Sequence, residues 1–206
     1  KALSGGYVPL GATITKRGIY NSVYDSMDRA IVHACTFGMG NLAMAAGLSA
    51  LTVLDDENLL TRSNETGARF KEGIEKMVPH FEFLKGVRQR GMMIGIEFGK
   101  PESVSLKAAW AMVNKIDENL FAQAVVIPLL DDHHILTQVA GHAVPIVKIL
   151  PPLNIKDTDV DWFLNAFEDV MIKIHKFPGP AWEVLMKIGN HALTIKQRER
   201  NSSVKN

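Results

Sequence analysis

Three stretches of this sequence carry residue types and spacings that could do chemistry. Lys1 stands before the turn Ser4-Gly5-Gly6, followed by Tyr7, Val8 and Pro9. An amine is thereby held at a strand edge by backbone that needs the conformational freedom of glycine. By residue type alone the same run also reads as an ordinary loop. The second stretch, His33-Ala34-Cys35-Thr36-Phe37-Gly38-Met39-Gly40-Asn41, is polar and punctuated by glycine, and it leads into a small-residue run from Leu42 to Leu51. A threonine and unpaired amides where a helix begins make an anion site, because orphan N–H groups and the helix dipole favour phosphate. A plain N-cap is the competing reading. The third is Lys148, a cation on a short apolar strand closed by Pro151-Pro152. Surface solvation and anion binding both fit it, and Arg90 is open in the same way. His133-His134 and His142 predict no metal: adjacent histidines on a strand point to opposite faces, and the pattern lacks companions at ligand spacing. Cys35 reads as a packed thiol.

The elements that must position these groups follow from periodicity. Leu10 to Thr15 predicts a short strand, and Ile19–Tyr24 a helical turn. The small-residue run from 41 predicts a helix buried between other elements, and a second helix runs from Asp55 towards Met77, with a break near Asp55-Asp56 and a stop at Pro79. Phe81–Val87 and Met92–Phe98 predict strands, Ser105–Leu120 a helix, Ala124–Leu129 a buried strand and Ile146–Leu150 another. Val160, Phe163, Leu164, Phe167, Val170, Met171 and Ile174 form one helical face, capped by Asp157 or Thr158 and ended by Phe177-Pro178-Gly179. Trp182 to Leu193 predicts a last short helix. From 78 onward the order is that of a small sheet covered by helices, whereas residues 1–40 read as the edge of another domain.

Composition narrows the classes. With 206 residues, 47% hydrophobic and 22% charged, the chain is globular, with no internal repeat. A net charge of +1 gives no reason to expect a nucleic-acid partner. Only the C-terminal end is biased, with Lys187, Lys196, Arg198, Arg200 and Lys205 against Glu199, which reads as a solvated tail. A single cysteine excludes an intrachain disulfide and fits a reducing compartment, so a cytoplasmic protein without a membrane span is expected. The first residue is Lys rather than Met, inside a motif, so a piece of a longer protein is expected.

The Lys1 segment and the Thr36 segment, in this order and at this separation, resemble those of the class III (ornithine/acetylornithine-type) pyridoxal-phosphate-dependent aminotransferases. Val87-Arg88-Gln89-Arg90-Gly91-Met92-Met93-Ile94-Gly95 is similar to the family's Val-Arg-x-x-Gly-hydrophobic-x-x-Gly segment. Lys148-Ile149-Leu150-Pro151-Pro152-Leu153-Asn154-Ile155 is similar to its Arg-hydrophobic-x-Pro-Pro-Leu-x-Ile segment. The resemblance runs from residue 1 to about 176. It implies an α/β, fold-type I aminotransferase, here as a remnant of the large domain joined by a long helix to an α+β C-terminal small domain. The expected division is 1–54, the end of the large domain with its linking helix, and 55–206, the small domain.

The resemblance also implies roles. Lys1 would carry pyridoxal 5'-phosphate as an internal imine and, once displaced by substrate, move the proton as general base. An amine suits this because burial and a neighbouring cation lower its pKa. Thr36 would bind the cofactor phosphate of the partner subunit, which implies a homodimer with shared active sites. Lys148 stands where the family often has an arginine for the substrate carboxylate; lysine keeps the charge and loses the fork, which favours amine or ω-amino donors. Apart from the resemblance, the loop Ile135–Gly141, with Thr137, Gln138 and Gly141, is expected to line the substrate entrance. The pyridine-nitrogen acid and the ring-stacking aromatic would lie upstream of Lys1, so the upstream half of the enzyme is an expected partner. The implied reaction moves an amino group from an amino acid or ω-amino/amine donor to a keto acid or aldehyde. Two alternatives stay open: an aminomutase or decarboxylase-like relative, and a non-catalytic dimerising fragment if the natural chain starts at Lys1.

Overall fold

The structure is a computed structural model that describes residues 2–116, 120–142, 144–179, 181–183, 185–187 and 189. The chain divides into two compact units, the first ending at Leu60 and the second beginning at Thr61. Lys1 and the tail from 190 onward, with most of its charged residues and the end of the expected last helix, lie outside the described residues.

In the first unit α1 spans Arg17–Val23, a 3-10 turn spans Met27–Arg29, and α2 spans Asn41–Asp56. The strand expected over Leu10–Thr15 does not form. β-propensity expresses itself only against a neighbouring strand, and this unit offers none among the described residues. α2 is apolar nearly all round, yet only Ala43 and Gly47 are buried. Leu42 and Leu48 are 73% and 67% exposed. The buried-helix expectation is therefore met in composition and not in packing.

The second unit holds most of α3, which spans Leu59–Met77, and all that follows: β1 (Leu84–Arg90), β2 (Met93–Phe98), α4 (Val104–Ile116), α5 (Leu120–Asp131), β3 (Gln138–Val139), β4 (Ile146–Ile149) and α6 (Asp157–Ile174). The break between α2 and α3 falls at Asn58, which takes a positive φ of 50°. The expected strand at Ala124–Leu129 is the body of α5. A continuous apolar run cannot be told from a helix by alternation, and Leu120–Leu130 is long enough to make three turns buried on most sides.

The strands form one antiparallel four-stranded sheet in the order β1-β2-β4-β3. Ile94, Ile96, Phe98, Val147 and Ile149 are buried on its inner face. α5 packs on β3, β4, α4 and α6. At the centre, Phe83 is fully buried, its ring 4.8 Å from Phe121, 4.9 Å from His175, 5.7 Å from Trp182 and 6.0 Å from Trp110. The Trp182 indole N–H donates to the Ile174 carbonyl at 2.9 Å, which makes its burial affordable. His175 Nε2 accepts the Phe83 N–H at 3.4 Å, so Nδ1 carries the proton and donates to the Met171 carbonyl at 2.8 Å. Burial holds its pKa down.

Two joints use charge. The Glu82 carboxylate accepts the N–H groups of Glu102 (2.6 Å) and Ser103 (2.7 Å), capping α4 from another element. The cap expected from Asp157 or Thr158 is absent: Lys156 is the N-cap of α6, with no side-chain bond. Asp157 instead pairs with Arg69 at 3.4 Å, and Arg69 reaches Asp161 at 2.5 Å, tying α3 to the start of α6.

Candidate active-site elements

In the first unit the chain after Lys1 turns tightly. Gly5 and Gly6 take φ of 68° and 87°, the region that favours glycine. The buried Ser4 hydroxyl donates to the Val8 carbonyl and accepts the Val8 N–H at 3.1 Å. The turn that follows the lysine position is thus locked by its own serine.

Thr36 lies in a turn in which the Gly38 N–H donates to the Cys35 carbonyl at 3.0 Å. The turn is tight enough that a Cβ at Gly38 would sit 3.1 Å from the Cys35 carbonyl oxygen and 3.2 Å from its Sγ, closer than a side chain there comfortably allows. Cys35 is exposed, not packed. The N-cap of α2 is Gly40, with no side-chain bond, so Thr36 does not cap the helix. Its hydroxyl is exposed and has no partner among the described residues. Uncapped N–H groups at Asn41, Leu42 and Ala43 lie a few residues beyond it. A hydroxyl, a glycine turn and an open helix start suit a phosphate in donor type.

Lys148 belongs to the second unit. It sits on β4, directly opposite Gly95 of β2 on one side and Gln138 of β3 on the other. Arg88 of β1 faces Gly95 from the far side. These residues form one row across the outer face of the sheet, since directly opposed residues share a face. Lys148 is half-buried, and neither it nor Gln138 has a hydrogen-bond or ion-pair partner among the described residues. Glu97, also on that face, is paired with Arg88. Arg90 is exposed opposite Met93. Sequence reasoning picked out Lys148, and named Gln138 only as part of the entrance loop and not as its neighbour, because only strand register reveals that pairing. The loop expected over Ile135–Gly141 contributes β3 itself, with Gln138 on the outer face.

His133 is held by Asp169 at 2.9 Å, and Asp169 also takes Lys173 at 2.8 Å. The Lys173 bond, then the His133 bond, keep the Asp169 carboxyl below its usual value. No cluster of metal-ligating side chains occurs among the described residues.

The model of the class III aminotransferases matches residues 1–171. The chain belongs to that family. Aminotransferase PigE of Serratia sp. is 28% identical over 207 residues, covering 86% of this chain and 24% of its own length. Ornithine aminotransferase of Oceanobacillus iheyensis is 30% identical over 171 residues, covering 83% of this chain and 35% of its own. Among solved structures, a transaminase from a marine Virgibacillus superposes with a TM-score of 0.68 at 21% identity, covering 84% of this chain and 37% of that one. The ornithine aminotransferase of Toxoplasma gondii does so with 0.66 at 23%, covering 84% and 35%. The fold is accordingly that of the fold-type I transaminases, and this class III chain spans roughly a quarter to just over a third of the length of these relatives.

Proposed function

We propose that this class III chain is the C-terminal part of a pyridoxal-phosphate-dependent aminotransferase. The family match over residues 1–171, which takes in all the segments that carry the motifs, supports the reading. Residues 1–54 would complete the large domain and 55–206 would form the small one. The upstream half of the enzyme would supply the acid for the pyridine nitrogen and the stacking aromatic.

Pyridoxal 5'-phosphate, when bound, supplies an electron sink at the substrate carbon. Lys1 would be its covalent attachment point, and its Nζ would carry the proton between substrate carbon and cofactor carbon. Thr36 would hold the phosphate of the partner subunit's cofactor through its hydroxyl and N–H. Its exposure, and that of Phe37 and Met39 at 89% and 87%, support a homodimer with shared active sites. The open apolar surface of α2 supports the same cover by protein, from the upstream half and the second subunit. Lys148 would hold the substrate end away from the reacting amine. No described helix is long and apolar enough to cross a membrane, and one cysteine in 206 residues favours the cytoplasm.

The test uses the full-length protein. An absorbance band near the visible edge that borohydride bleaches, with the label on Lys1 by mass spectrometry, is the expected result. A label on another residue, or none, overturns the role of Lys1. Product analysis with an amino donor and 2-oxoglutarate then separates transfer from isomerisation, because only a transaminase forms glutamate.

A further inference from the structure

We infer that a cleft at the end of the sheet binds an organic cation that carries a hydroxyl, with Thr137 taking the hydroxyl and Asp159 and Trp162 taking the charge. The inference concerns binding alone, and it stands whether or not the chain transfers amino groups.

The cleft encloses about 330 Å³ between the loop before β3, the end of β4 and the faces of α3 and α6. That is the size of a small-molecule site. Its walls are mainly apolar, with Phe70, Phe163 and Pro151 among them. Thr137 lines it too, at 6% exposed, and its hydroxyl has no hydrogen-bond partner among the described residues. A hydroxyl shut away from water without a partner is costly, and such groups are rare in folded proteins. It can take three staggered positions about χ1, so a polar atom entering the cleft offers it the bond that the described residues do not. Because a hydroxyl both donates and accepts, a hydroxyl on the ligand suits it.

Helix α6 sets the other end of the ligand. Asp159 and Trp162 are three residues apart on this helix, so they are neighbours on one face, and both line the cleft. The acids on either side of Asp159 are taken, since Asp157 and Asp161 pair with Arg69. The Asp159 carboxylate has no bond or ion pair among the described residues. Trp162 is 48% exposed and joins no ring contact among them. A free carboxylate beside an open indole suits an ammonium with an apolar body. The charge meets the carboxylate and the ring quadrupole together, while the body covers the apolar wall. An anion would be repelled by the unpaired carboxylate. A purely apolar ligand would leave the buried hydroxyl without a partner.

The experiment uses the full-length holoenzyme and three probes: N,N-dimethyltyramine, N,N-dimethylphenethylamine, which lacks the hydroxyl, and 4-ethylphenol, which lacks the charge. The tertiary amines cannot form an imine, so a pyridoxal cofactor does not capture them. Kd values are read by isothermal titration calorimetry on the wild type and on the Thr137→Val and Asp159→Asn variants. N,N-dimethyltyramine should bind tightest. Thr137→Val should weaken it about fivefold, the worth of one hydrogen bond, and leave N,N-dimethylphenethylamine unchanged. The Tm of that variant should hold or rise, because valine keeps the shape and removes the unpartnered hydroxyl. Asp159→Asn should weaken both cations about threefold, as for an exposed ion pair, and leave 4-ethylphenol unchanged. No binding by any probe would overturn the site, since the cleft is then filled by protein or takes water only. Equal affinities in all three proteins would do so too, because the probes then bind elsewhere. A lower Tm for Thr137→Val would mean that the hydroxyl already has a partner, and weakening by Asp159→Asn alone that the cation is held without it; either result overturns the inference.

Discussion

Two glycines in α3 invite the same substitution and should respond to it differently. A Cβ on Gly67 would lie 2.0 Å from the carbonyl oxygen of Gly91 and 2.5 Å from Gln89 Nε2. The obstacle is backbone of the β1–β2 turn, and it is fixed twice over. Gly91 holds a φ of 55°, and its carbonyl accepts the Gln89 amide at 2.8 Å. A Cβ on Gly73 would meet Leu164 Cδ1 at 2.5 Å and Cδ2 at 2.7 Å, the far end of a side chain that can turn aside. Alanine gains about 1 kcal/mol over glycine in a helix interior at either site. Against this, forcing the turn away at Gly67 costs about 1–3 kcal/mol of overpacking and about 1 kcal/mol more if the Gln89 bond is lost. Moving Leu164 off its rotamer costs about 0.5–1.5 kcal/mol. Gly67→Ala is therefore expected to destabilise by about 1–3 kcal/mol and Gly73→Ala to be within about 0.5 kcal/mol of neutral. Urea unfolding followed by tryptophan emission reads the difference, because Trp110, Trp162 and Trp182 all lie in the second unit. With a slope of about 2 kcal/mol/M, the two midpoints should separate by roughly 0.5–1.5 M at unchanged slope. Equal midpoints, or Gly67→Ala the more stable, would refute the claim that α3 touches this turn backbone to backbone.

Further perturbations test the core and the charged cap. Phe83→Ala removes a fully buried ring that touches Phe121, Trp110, His175 and Trp182, and should cost about 3–5 kcal/mol in the same unfolding assay; a loss under about 1 kcal/mol would mean the ring is not central. Glu82 has its carboxyl pKa held down, chiefly by the Ser103 N–H and then by that of Glu102. A lowered folded pKa means stability that is complete above the ordinary glutamate value and is lost as pH falls through the folded one. The Tm gap between wild type and Glu82→Gln should thus be open at neutral pH and close on acidification; a gap independent of pH would remove the ionised cap.

The body of helix α6 was legible, though not its cap, because Val160, Phe163, Phe167, Val170, Met171 and Ile174 repeat with the helical period and are all buried. β2 was legible too, since Ile94, Ile96 and Phe98 alternate with groups on the outer face. α5 was not. Its residues are apolar on most sides, and burial of that kind erases the periodicity on which a choice between helix and strand depends. The cap on α4 was hidden for another reason. Glu82 stands some twenty positions before the amides it binds, and no local pattern records such a partner.

The candidate site divides along the same line. The sequence alone determined the family, because Lys1 before its Ser-Gly-Gly turn, Thr36 before its glycines and Lys148 before Pro151-Pro152 are local strings whose spacing survives without coordinates. It also determined that Gly5 and Gly6 turn the chain, since their φ values are ones that other residues resist. Only the tertiary structure decided what stands beside Lys148. Antiparallel register brings Gly95, more than fifty positions away, and Gln138, ten positions away, into one row with it. A slip of one residue would have turned Gln138 to the inner face and left the ammonium alone. Register is set by the buried Ile94, Ile96, Val147 and Ile149 on the opposite side of the sheet, so the packing of the core chooses the neighbours of the charge.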